Sequence, residues 1–167
     1  MAKRLILLAM LVGMATPLAA QKPDDQIAPA SIALQRQGET ALAAGKYETA
    51  NDQFETALAV DPRNRAVFVN LARVATRQKL YGKAIRFTSK ALALEPNDRD
   101  ALAVQGVAMV EAGATARAQQ NLAKLQTICA KGGCPQLTEL GAVIARGQTP
   151  VPAKAAATTA PPPPKKN

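Results

Sequence analysis

The sequence predicts an all-α chain, a solenoid of stacked two-helix units, and three observations carry that expectation. Ala50, Ala57 and Pro62 return 34 residues later as Ala84, Ala91 and Pro96. Around them TALAVDPRN (residues 56–64) is answered by KALALEPND (residues 90–98). Between these markers the apolar residues recur at helical rather than strand spacing. A fixed period of this length is the mark of helical hairpins too small to bury their own apolar face, which is covered only when neighbours stack.

The elements follow in chain order. Helix A of the first unit is expected from about Ser31 to Ala43, with Leu34, Ala41 and Leu42 on one side. Gly45 and Lys46 make the turn. Helix B is expected from Tyr47 to Val60, with Ala50, Phe54, Ala57 and Leu58 as its apolar stripe. Asp61-Pro62 ends it, because proline lacks the N–H and disfavours helical geometry in the residue before it. The second unit repeats the layout. Phe68, Leu71, Ala72 and Ala75 line its helix A, Ala84, Phe87, Thr88, Ala91 and Leu92 line or flank helix B, and Pro96 closes it. After Pro135 one more amphipathic helix is expected, with Leu137, Leu140 and Ile144 on one face and Gly147 just past its end. It suits the task of covering the last apolar face of the stack.

The two cysteines stand where the repeat fails. Cys129 falls in the last turn of the third helix B, and Cys134 follows Lys131-Gly132-Gly133 and precedes Pro135. In an exported chain, two cysteines around a glycine turn point to a disulfide. Reduced thiols are the alternative. A redox site favours two intervening residues rather than four, and a metal site lacks further Cys or His ligands.

Residues 1–20 read as an export signal: Lys3 and Arg4 lead, Leu5 to Leu18 is apolar, and Ala19-Ala20 offers small residues for cleavage. An uncleaved membrane anchor is the alternative. Residues 21–30 are polar with Pro23 and Pro29, and are expected to be a disordered leader. The repeat domain is expected over 31–147, with units at 31–64, 65–98 and 99–130 and the capping helix at 135–147. Residues 148–167 hold Pro, Ala, Thr and Lys, including Pro161 to Pro164, and are expected to form a disordered tail.

Composition narrows the function. Hydrophobic residues make up 48% of the 167, yet aromatics are only 3%, so alanine-lined helices must pack closely with few large anchors. The formal charge is +9, and loss of Lys3 and Arg4 leaves 19 basic against 12 acidic residues. These basic residues are scattered, with no aromatic–basic stripe for nucleic acid. The chain has no His, no nucleophile elbow and no phosphate-cradling glycine loop, which argues against an enzyme and against any metal or cofactor.

The repeating residues resemble the tetratricopeptide repeat. Unit one matches that motif with Leu34, Gly38, Gly45, Ala50, Phe54, Ala57 and Pro62. Unit two matches with Phe68, Leu71, Ala72, Ala84, Ala91 and Pro96, but carries Lys79 at the turn glycine and Thr88 at the aromatic. Unit three is weaker: Leu102, Gly106, Gly113 and Ala118 fit, whereas Leu125 replaces the second Ala and Ala130 the Pro. The resemblance implies a right-handed α-solenoid of about three tetratricopeptide helix-turn-helix units plus a C-terminal capping helix. The segment ICAKGGCPQLTEL also resembles a cysteine-bridged ending of exported bacterial tetratricopeptide proteins.

In this family the A helices line a concave surface that receives an extended peptide or a partner helix. By family position that surface presents Gln35, Arg36 and Glu39 from unit one, Val69, Asn70, Arg73 and Arg77 from unit two, and Ala103, Val104 and Val107 from unit three. Arg73 and Arg77 are expected to carry much of the recognition. Some chaperone-binding relatives clamp a terminal carboxylate; of the clamp positions only Asn70 matches, since Gln35, Glu39, Asp100 and Val104 occupy the others. The resemblance thus implies a protein–protein interaction module or assembly adaptor of the bacterial cell envelope, periplasmic or secreted, with a protein or peptide as partner. Pilus or secretion-system assembly is one specific form of it. Nucleic-acid or polyanion binding is the alternative class.

Overall fold

A computed structural model describes residues 26–147. The expected export signal, the front of the leader and the tail lie outside the described residues. Within them the chain forms seven helices: α1 (Pro29–Ala43), α2 (Tyr47–Val60), α3 (Arg65–Arg77), α4 (Tyr81–Leu94), α5 (Arg99–Glu111), α6 (Thr115–Ile128) and α7 (Pro135–Gly147). The B helices α2, α4 and α6 begin and end at the same 34-residue register. No described helix is long and apolar enough to cross a membrane.

Each A helix packs on its own B helix, and each B helix on the next A helix. The A helices also meet one another in order, α1 with α3, α3 with α5 and α5 with α7, whereas the described B helices do not touch each other. Close A–A and open B–B spacing curves the stack, with the A helices on the concave side.

Small residues allow these approaches. Ala50, Ala84 and Ala118, one per unit, are fully buried, as are Ala57, Ala91 and Leu125. In unit one a Cβ placed on Gly38 would lie 2.4 Å from Phe54 Cε1, so the aromatic requires the glycine. The same two register positions in unit two are Ala72 and Thr88, both fully buried; the smaller Thr88 accompanies the larger Ala72. The Thr88 hydroxyl donates to the carbonyls of Ala84 and Ile85, which satisfies it inside the core. In unit three a Cβ on Gly106 would lie 2.6 Å from Leu140, a residue of α7. The capping helix therefore seats its fully buried Leu140 on the glycine of the last unit.

The leader expected over 21–30 is corrected at its end. The Ala28 N–H donates to Asp61 Oδ2 at 2.9 Å, and Arg63 Nη2 donates to the Gln26 carbonyl at 3.2 Å. Helix α1 begins at Pro29, which suits a first helical position because its missing N–H is not needed there. Ser31 and Asn64 are buried beside this contact; Asn64 Nδ2 donates to Ser31 Oγ, which donates to the Ala57 carbonyl. At the other end Cys129 and Cys134 form a disulfide across the turn between α6 and α7.

Candidate binding groove on the concave face

A cavity of about 810 Å³ opens on the concave face, walled by α1, α3, α5 and α7 and by the A-to-B turns. Its centre is a chain of polar side chains, each from a different helix than the next but one. Gln35 Nε2 on α1 donates to Glu39 Oε1, which also accepts from Asn70 Nδ2 on α3, both at 2.8 Å. Asn70 Oδ1 accepts from Arg73 Nη1 at 2.9 Å. The other arm of Arg73 pairs with Asp100 Oδ1 on α5 at 3.3 Å, and the same oxygen accepts from Gln136 Nε2 on α7 at 3.0 Å. One polar seam thus joins all four A helices across the groove.

Seven of the family-implied groove residues line this cavity: Glu39, Asn70, Arg73, Arg77, Ala103, Val104 and Val107. Gln35 is half-buried, is not among the lining residues and donates to Glu39, and Arg36 is exposed and does not line the cavity. Val69 is a correction. It is only 2% exposed and packs with Ala91 and Ala101, because a helix turns about 100° per residue and Asn70 already occupies the groove side. The expected role of Arg73 also changes: its guanidinium is engaged by Asn70 and Asp100 before any partner arrives. Arg77 is exposed and has no hydrogen bond or ion pair with the described residues.

The cavity also gathers residues that single-helix reasoning did not assign to it. Tyr47 and Tyr81, equivalent positions at the starts of α2 and α4, stand on its wall with Lys79, Glu111 and Glu139. The Tyr81 hydroxyl lies 3.4 Å from Glu111 Oε2. Desolvation, then the neighbouring Glu111 charge, raises the Tyr81 pKa above the usual tyrosine value. The 34-residue spacing of the two tyrosines was the signal in the sequence that could have found them.

Residues 41–107 match the family model of the tetratricopeptide repeat. No curated protein matches the chain in sequence. Among solved structures it is similar to the TPR domain of Sgt2 from Aspergillus fumigatus, at 23% identity and a TM-score of 0.65, over 71% of this chain and 79% of that one. It is similar to the first TPR of Spaghetti (RPAP3) bound to the HSP90 peptide SRMEEVD, at 20% identity and a TM-score of 0.63, over 70% and 91% of the two chains. A third similar structure is the TPR2B domain of yeast Sti1, at 15% identity and a TM-score of 0.63, over 71% and 98%. These likenesses show the fold: a tetratricopeptide-type right-handed α-solenoid.

Proposed function

We propose that the chain is a protein–protein interaction module or assembly adaptor of the bacterial cell envelope, which binds an extended peptide or a partner helix on its concave face. The observation that carries this reading is the cavity itself. It is lined by the A helices, it holds both apolar side chains (Ala103, Val104, Val107) and charged ones, and no described segment fills it. Structural neighbours support it, since the first TPR of Spaghetti was solved with an HSP90 peptide. The partner here would be read differently from a terminal-carboxylate clamp. Glu39 and Asp100 put carboxylates, engaged within the seam, at two positions where such a clamp has amide or cationic groups.

Export rests on residues 1–20, and assembly of a pilus or secretion system is the specific form of the proposal that an exported adaptor fits. The test places a photo-crosslinking residue at Val104 in the groove, and separately at Ala123 on the outer helix α6, in the full-length protein in intact cells. Adducts are expected from position 104 and not from 123, in a mature protein whose intact mass begins at Gln21. Adducts from 123 alone would remove the concave-face reading, and a mass that retains Met1 would remove export with cleavage.

A further inference from the structure

The A-to-B turn is built alike in all three units. Its left-handed residue is Gly45 in unit one (φ 70°) and Gly113 in unit three (φ 80°), and each lies 34 residues from Lys79 (φ 60°) in unit two. Lys79 is the one non-glycine with positive φ among the described residues. A residue with a Cβ is disfavoured there by roughly 1 kcal/mol or more, because the side chain crowds the following carbonyl. The turn itself gains nothing from the lysine. The Lys79 and Leu80 N–H groups donate to Thr76 and Ala75 at 3.0 and 2.8 Å, and Gly45 and Lys46 donate to Leu42 and Ala41 at 3.0 and 2.9 Å in the same pattern.

The side chain must therefore be explained by what it faces, and it faces the cavity. Its ammonium has no hydrogen bond or ion pair with the described residues, nor does the Arg77 guanidinium two residues before it on the same wall. Arg73, the third cation of the cavity, is already neutralised by Asp100. Two cations without an ion pair among the described residues, one held at an unfavourable backbone conformation, thus line the same cavity as Ala103, Val104 and Val107 of the neighbouring α5.

We propose that Arg77 and Lys79 form a carboxylate-binding subsite of the groove. It takes an acidic side chain of an extended peptide whose apolar side chain, two residues along, rests on Ala103, Val104 and Val107. Side chains on one face of an extended strand repeat about every 7 Å, which is comparable to the 8–10 Å between packed helix axes. Guanidinium and ammonium donors then make charge-assisted hydrogen bonds to the carboxylate. The inference rests on the concave face being the binding face.

The experiment uses the full mature chain and two labelled peptides, a short repeat of Glu-Ser-Val-Ser and its counterpart Lys-Ser-Val-Ser, each with a photo-crosslinker. Binding is measured for the native protein and for Lys79→Gly, Lys79→Gln, Lys79→Arg and Arg77→Ala. The acidic peptide is expected to bind more tightly than the basic one, and added salt to weaken it. Lys79→Gly, Lys79→Gln and Arg77→Ala should each weaken it about fivefold or more, and Lys79→Arg should retain it. Lys79→Gly should also melt no lower than the native protein, which separates binding from folding.

A Lys79→Gly protein that melts lower, or that binds the acidic peptide as the native protein does, overturns the subsite. Inorganic phosphate competing as strongly as the peptide would make it a site for free anions and overturn the peptide assignment. Crosslinks to the groove that are indifferent to all four variants would overturn the subsite while leaving the concave-face reading intact. Absence of any groove crosslink would remove both.

Discussion

At its N-terminal end the solenoid is closed by polar groups. Asp61 accepts from the backbone of Ala28 and from Arg63, and the buried Ser31–Asn64 pair lies behind them. At its C-terminal end it is closed by apolar contact and a covalent bond: Leu140 is fully buried against Gly106, Ile144 joins it, and the Cys129–Cys134 disulfide holds the entry to α7. The difference follows from what each end must cover. The first unit has a complete helix B and an inter-repeat loop of its own, so only the incoming chain needs fixing. The third unit departs from the repeat at Leu125 and Ala130 and leaves the face of α5 open, so a whole helix is required.

Two substitutions test the C-terminal closure. Leu140→Ala removes the fully buried side chain of α7 and leaves a cavity over Gly106, with an expected loss of about 3 kcal/mol. Because neighbouring units couple only through their interfaces, amide protection should fall across α5 to α7 and much less across α1 to α4. Equal loss along the whole chain would show a single cooperative unit and erase the contrast between the ends. Replacing Cys129 and Cys134 together by Ser should have a smaller effect, about 2 kcal/mol on the chain-entropy account, concentrated in residues 135–147. Thermal denaturation and hydrogen exchange of the double variant check it, and native-like protection of α7 would make the disulfide dispensable.

Most of the fold was legible because its cause is local. The 34-residue period, the prolines and the small residues act over single helices or single crossings, and the expected helix B of unit one, Tyr47–Val60, is the observed α2. What was not legible depends on distant residues. Ala28 looked like leader because its partner, Asp61, is 33 residues away. Arg73 and Arg77 looked equivalent, since a spacing of four puts them on one face. They are separated only by Asp100 in the next unit, which pairs with Arg73 alone. Lys79 was visible as a departure from the turn glycine, but its cost is a matter of backbone φ and its use a matter of the cavity, neither of which a sequence displays.

The sharpest contrast between the ends is in their response to acid. The side-chain hydrogen bond from Arg63, then the Ala28 N–H, lowers the Asp61 pKa from 3.8 to about 2. A carboxyl with a depressed folded-state pKa holds its proton less readily folded than unfolded. Its contribution is therefore complete above the unfolded value near 3.8 and is lost as pH falls through about 2. Over that window the amides at the start of α1 should lose protection, because a protonated Asp61 no longer attracts Arg63 and accepts the Ala28 N–H more weakly. Leu140, Ile144 and the disulfide do not titrate there. The one carboxylate contact of α7 described above, the exposed hydrogen bond from Gln136 to Asp100, lies outside that buried closure, so the closure itself carries no such dependence. Asp61→Asn should abolish the pH step at α1 and leave that helix less protected at neutral pH than in the native protein. NMR-detected amide exchange at both helices between about pH 5 and pH 2 decides the matter. If α1 and α7 lose protection together, the acid step belongs to the whole solenoid and not to the Asp61 anchor.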